Sequence, residues 1–281
     1  MSAPAVKPIR DALYEQPGPK TRKRINIATA IAAVLVLICI GLIVRQFYVM
    51  GQLDAKYWEL FTRWTTWRFL LTGFLGTLKS AAVAGLLALA GGLVLMWGRF
   101  SKIPPVRWVA RAITEFFRGV PSLLFVYFFF IVMPTIGVKM DSFWMITLPA
   151  AMSAAGACAE VFRAGVNAVP AGQVEAAKSL GMSKTKTMLL IPLPQAIKFV
   201  VPTLISQLVI VVKDTTLAYV VSYADLLQNG RVLIANYDAL VSVYLVVAVI
   251  YILLNYLINK ASVAIANRNG VKLIDVSKVS A

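Results

Sequence analysis

Few residues in this sequence are equipped for chemistry, and where they stand limits what that chemistry can be. Five ionisable side chains fall within apolar stretches or at their ends: Lys79, Glu160, Arg163, Lys213 and Asp214. A charge in membrane hydrocarbon costs roughly 2.5–3.5 kcal/mol on insertion scales, so each needs a partner or a task. Lys79 either lines a path for an anionic solute or snorkels its ammonium to nearby headgroups. Glu160 and Arg163 are three residues apart, the spacing that puts two side chains on one helical face, and are expected to pair as a structural or a gating contact. Lys213 and Asp214 end an apolar run beside Thr215 and Thr216, either on a transport path or as a self-neutralising interface pair. Ser206 and Gln207 are polar and mid-span, which makes them hydrogen-bonding path candidates or glue between helices.

Catalytic and cofactor chemistry is largely excluded. There is no histidine, so the commonest general base and metal ligand is missing. Cys39 and Cys158 sit inside apolar runs without CxxC spacing and read as small apolar filler. No nucleophile–base pair is visible. No Gly-x-x-x-x-Gly-Lys-Ser/Thr loop is present to hold a nucleotide. The chain reads as a non-enzyme that carries no cofactor of its own.

The elements that must position these residues follow from composition. The chain of 281 residues is 59% hydrophobic and 14% charged, with a mean hydropathy of +0.78. Soluble domains carry about a quarter charged residues, so this is a membrane protein. Six spans are expected, at about 25–44, 72–97, 121–136, 143–169, 193–212 and 239–258. Pro194 and Pro202 predict a kink in the fifth. The first follows 24 polar residues and is too long for a signal-peptide core, so it reads as a signal anchor. The net charge of +16 comes from 28 basic and 12 acidic side chains. The basic residues flank apolar runs, which argues against nucleic acid as a partner. With the N-terminus placed in the cytoplasm, inside segments hold nineteen Lys and Arg and outside loops six, which predicts both termini inside.

The expected organisation is a cytoplasmic basic tail over 1–24 and an extra span with an external interfacial loop over 25–71. A helical core over 72–265 follows, and then a cytoplasmic tail over 266–281. Lys20 to Arg24 should rest on anionic headgroups as a topology anchor. Pro4, Pro8, Pro17 and Pro19 predict an irregular start. Alanines, Gly156 and Ser153 make the fourth span a surface for close helix or subunit contact.

The inside loop after the fourth span, over 170–192, reads as two short helices. Pro170 and Gly172 end the span, Gln173 to Leu180 are good helix formers, and Gly181 suits a C-terminal cap. Ser183 can start a second helix that Pro192 closes. Such a hairpin offers a docking surface, small at Ala176 and Ala177 and basic at Lys178, Lys184 and Lys186.

The fixed positions of that loop carry a resemblance. Glu175-Ala176-Ala177, three residues, Gly181, nine residues, then Ile191-x-Leu193-Pro194 resembles the EAA signature of permease subunits of ABC importers. Glu115-Phe-Phe-Arg118-Gly-Val-Pro121 is similar to an element of the polar amino-acid permeases. So are Ala159 to Gln173, Lys213-Asp214-Thr215-Thr216-Leu217, and Asp225-Leu226-Leu227. Thr216 stands where that pattern commonly has serine, and Ser122 where it often has leucine. The extra first span and Gln52 to Phe61 look like glutamate permease subunits of actinobacterial importers. The resemblance implies an all-α type I ABC importer permease fold in a bacterial cytoplasmic membrane. It makes Glu175, Ala176, Ala177 and Gly181 a coupling helix docked on an ATPase. It implies two ATPase subunits binding ATP and Mg, a second permease (the same or a related chain) and an extracytoplasmic solute-binding protein. The implied solute is a polar amino acid, glutamate or glutamine.

Overall fold

The structure, a computed structural model, describes residues 18–268. The tails before and after, including Pro4, Pro8 and Pro17, lie outside the described residues. Within them every regular element is helical. The chain forms two compact units that part between Ala55 and Lys56.

The first unit is built on α1, Pro19–Val49. It starts at a proline in its first turn, where the missing N–H has no helical partner to lose. Its middle is apolar all round, which suits a lipid solvent.

The second unit begins with two 3-10 turns, Ala55–Tyr57 and Glu59–Thr62. Leu60 is buried there against Leu70. The long helices are α2 (Trp64–Arg99), α5 (Ser142–Asn167), α8 (Pro192–Asp214) and α10 (Leu240–Arg268). Between them lie α3 (Pro104–Gly119), α4 (Ser122–Thr135), the short α6 (Ala171–Ser179) and α7 (Lys184–Leu190), and α9 (Leu226–Tyr237). A 3-10 stretch, Thr215–Val221, extends α8.

The core is made of small side chains: Ala81, Ala84 and Ala88 of α2, Ala150 to Cys158 of α5, and Ala196 and Val200 of α8. Lipid tails are as apolar as leucine, so helices in a membrane associate by close packing, and small residues permit it. α2 and α5 form the largest helix pair. A Cβ on Gly92 would come within 2.6 Å of the Cys158 Cβ and 3.1 Å of the Ala159 nitrogen. The small-residue face of the fourth expected span is therefore spent within the chain, against α2 and α3.

Among the described residues five helices are long and apolar enough to cross a membrane, or six if the bent pair α3 and α4 counts as one span. The third expected span, 121–136, coincides with α4. α4 alone has 14 residues and covers about 21 Å, short of the roughly 30 Å of hydrocarbon. Pro121 is the reason for the break. It pushes Val120 to extended backbone (φ −88°, ψ 126°), and the two helices meet at 99°. Between the second and third expected spans, α3 is an amphipathic helix. α4 also holds a π turn, Phe128–Val132. The kink expected in the fifth span does not interrupt α8, which runs unbroken through Pro202. Pro192 and Pro194 fall in its first turn, and the Pro202 carbonyl accepts from the Ser206 hydroxyl at 3.1 Å and the Ser262 hydroxyl at 3.3 Å.

Candidate functional site

α6 and α7 form a helical hairpin spliced between α5 and α8. α6 ends in a Schellman motif: the Met182 N–H donates to the Ala177 carbonyl (3.1 Å) and the Gly181 N–H to the Lys178 carbonyl (2.9 Å). Gly181 sits at φ +75°, the left-handed region that a Cβ disfavours. Ser183 then caps α7, its hydroxyl accepting from the Lys186 N–H at 3.4 Å. The hairpin is tied to the bundle by Gln195 Nε2 donating to the side-chain oxygen Oε1 of Gln173 (2.7 Å) and by Lys184 Nζ donating to the Phe100 backbone carbonyl (3.4 Å).

The four residues expected at the tip divide. Ala177 is buried and anchors α6, while Glu175, Ala176 and Gly181 are exposed. The sequence reading missed Leu180, which is 83% exposed beside Gly181. A large apolar side chain in a docking loop was the available signal. A cleft of about 320 Å³ runs beneath the hairpin, bordered by Val174, Lys178, Thr187 and Met188.

At the same end of the bundle lies a charge cluster. Glu160 and Arg163 pair as expected, with Arg163 nitrogens 2.8 and 2.9 Å from one carboxylate oxygen. The other oxygen accepts from Arg99 Nη1 and has Arg118 Nη1 at 3.7 Å. One carboxylate thus serves three guanidinium groups. Arg99 and Arg118 come from α2 and α3, and no local spacing announced them.

The remaining path candidates are spread out. Lys79 is exposed, with its ammonium 4.8 Å from the centre of the Phe143 ring. Lys213 is exposed and forms no ion pair with Asp214. Asp214 instead has Ser122, the first residue of α4, as its hydrogen-bonding neighbour. Thr215 is buried and donates to the Val212 carbonyl at 2.8 Å. Ser206 faces outward and bonds only its own helix, and Gln207 is half-buried. Among the described residues no hydrogen bond or ion pair joins Lys79, Glu160 and Lys213 to one another.

A second buried polar cluster centres on Asp225, which stands in the turn between the 3-10 stretch and α9, and draws its partners from α2 and α10. Its Oδ1 caps α9 by accepting from the Gln228 N–H (2.7 Å), and its Oδ2 accepts from the Tyr251 hydroxyl (3.2 Å). The Leu226 N–H donates to Thr77 Oγ1 (3.1 Å), and Asn229 donates to the Phe69 carbonyl (2.7 Å). Burial pushes the Asp225 carboxyl up to about 6. This cluster stitches α9 to α2 and α10.

Known proteins are similar to this chain in sequence and fold. Residues 87–269 match the family model for the binding-protein-dependent transport system inner membrane component. The chain is 38% identical, over 211 residues, to the glutamate transport system permease protein GluD of Corynebacterium glutamicum, covering 73% of this chain and 77% of that one. It is 31% identical to a probable glutamine ABC transporter permease protein, GlnP, of Bacillus subtilis, covering 69% and 90%. A crystal structure of an amino acid ABC transporter with histidines superposes with a TM-score of 0.68 at 27% identity, covering 72% of this chain and 94% of that one.

Proposed function

Because this chain belongs to the family of binding-protein-dependent transport system inner membrane components, we propose that it carries a polar amino acid, glutamate or glutamine, across a bacterial cytoplasmic membrane. As a permease it is not itself an enzyme. The energy comes from ATP and Mg held by two copies of a partner ATPase. A second permease, the same chain or a related one, completes the pathway, and an extracytoplasmic binding protein delivers the solute. Both termini and the hairpin face the cytoplasm in this reading, in keeping with the asymmetry of lysine and arginine.

One observation carries the proposal: an exposed, tightly capped hairpin is inserted between two spanning helices. Ala176 and Gly181 present a small surface that an ATPase groove can approach closely, with Glu175 and the projecting apolar side chain of Leu180 beside it. Force applied there reaches α5 through Pro170 and α8 through Pro192 without a flexible linker. The Gln173–Gln195 bond adds a second connection. Closure of the ATPases would push on this lever and rock the bundle between inward- and outward-facing states.

The relatives named for glutamate and glutamine support the choice of solute. Lys79 and Lys213 are exposed cations suited to a carboxylate. Glu160, Arg163, Ser206, Gln207, Asp214 and Thr215 supply further polar groups along α5 and α8. The test is uptake of a labelled amino-acid panel by the reconstituted complex with ATP. Glutamate or glutamine should accumulate only when ATPase and binding protein are both present. Accumulation by the lone polypeptide, or a panel that leaves both amino acids outside, would overturn the proposal.

A further inference from the structure

At the end of α2 a cleft of about 500 Å³ opens, lined by Arg99, Phe100, Arg107, Trp108, Arg111 and Arg163. Four of its six lining residues are arginines. Glu160 lies behind it and holds Arg99 and Arg163. Arg107 and Arg111 have no hydrogen bond or ion pair among the described residues, and both are exposed. The cleft therefore has an excess of positive charge, two preoriented guanidinium groups and two free ones. Planar guanidinium forks match phosphate oxygens in pairs, which makes phosphate the anion this chemistry selects.

The helix that supplies Arg107 and Arg111 indicates where the phosphate comes from. α3 buries Ala110 and Thr114 against the bundle. At 100° per residue, Arg107, Arg111 and Arg118 fall on one flank of that buried strip. Val106, Val109, Ile113 and Phe116 fall on the other, and all four are exposed. A helix lying along a membrane boundary presents these opposed flanks, with cations toward headgroups and apolar side chains toward acyl chains. Trp108, 68% exposed at the cleft, is the residue type that concentrates at this depth.

We propose that this cleft binds the phosphate of an anionic glycerophospholipid in the leaflet at the hairpin end of the bundle. Arg107 and Arg111 clamp the phosphate, Arg99 and Arg163 supply background charge, and the acyl chains run along the Val109–Phe116 flank. The site is independent of which solute is carried.

The test uses the full-length chain in a non-ionic detergent. Its thermal midpoint is followed while phosphatidylglycerol, phosphatidylcholine or glycerol 3-phosphate is added, and native mass spectrometry counts retained lipid. Phosphatidylglycerol should raise the midpoint saturably and stay bound. Phosphatidylcholine should do neither. Glycerol 3-phosphate should need at least a hundredfold higher concentration. The double variant Arg107→Gln, Arg111→Gln changes only exposed side chains, so its lipid-free midpoint should match wild type while its affinity for phosphatidylglycerol falls at least tenfold. Unchanged affinity in the variant, or equal retention of phosphatidylcholine, would overturn the site. Glycerol 3-phosphate acting at the same concentration as the lipid would overturn the lipid as its source.

Discussion

Replacing Glu160 by glutamine is the sharpest probe of the charge cluster. The substitution keeps size but replaces one acceptor oxygen with an NH2 donor and removes the carboxylate that Arg99, Arg118 and Arg163 share, leaving only Glu115, 3.5 Å from Arg118, as a counterion in the group. Opposite charges 3 Å apart attract by about 6 kcal/mol at an effective dielectric of about 20. Much of that is offset by desolvation. The Glu160 side chain is 21% exposed and Arg99 only 11%, whereas Arg163 and Arg118 keep 39% and 44%. Breaking a buried pair costs about 3–5 kcal/mol because a charge is stranded, while an exposed pair contributes about 0–1 kcal/mol. Intermediate burial with Arg99 stranded gives an expected loss of about 2–4 kcal/mol. Arg99→Gln alone should cost less, about 1–2 kcal/mol, because Glu160 keeps two other cations. The double variant no longer strands Arg99, so the cycle should show a coupling of about 1.5–3 kcal/mol. Equilibrium unfolding of the four proteins in mixed micelles measures all three quantities. A Glu160→Gln loss under about 0.5 kcal/mol, or additive single effects, would refute the cluster as a stabilising unit.

Three further outcomes are expected. Gly181→Val places a β-branched side chain at φ +75°, costing about 1–2 kcal/mol in the hairpin; membrane insertion should persist while uptake by the reconstituted complex is lost, and wild-type uptake would exclude the lever. Gly92→Ala sets a methyl 2.6 Å from the Cys158 Cβ and should destabilise by about 1–3 kcal/mol; Cys158→Gly in the same chain should recover part of this in the same unfolding assay. Asp225 has its carboxyl raised from 3.8 to about 6 by burial, so the folded chain takes up a proton that the unfolded chain releases. Stability should then fall as pH rises from about 4 to about 6. Asp225→Asn keeps the cap on Gln228 and should flatten that slope, and a variant with the slope intact would assign it to another group.

How much of this was legible in the sequence depends on how local each signal is. The hairpin was readable because its determinants sit within one turn of where they act. Gly181 supplies the left-handed backbone, Ser183 the next cap, and Pro192 starts α8. The spans were readable because hydrocarbon sets their length. For the third, apolarity marks only α4, at 122–135 where the span was expected; α3 before it alternates Arg107, Arg111 and Arg118 with Val109, Ile113 and Phe116, which hydropathy alone does not register as a helix. The 99° break at Val120–Pro121 turns that amphipathic stretch into part of the bundle.

The charge cluster marks the boundary of local reading more sharply. Glu160 and Arg163 announce themselves at helical spacing, and taken alone that pair is neutral and self-contained. Arg99 lies 61 residues away from Glu160, and it arrives because α2 and α5 pack so closely at Gly92 that their ends at the hairpin side must also meet. Arg118 arrives because α3 crosses α5 at Gly156, one helical turn before Glu160. Small residues, which say nothing about charge, thus decide which charges become neighbours. The same packing makes Glu160 a carboxylate owed to three cations and leaves Arg107 and Arg111 without an internal counterion. A sequence count of charges finds the excess; only the packing shows that four of its arginines line one cleft.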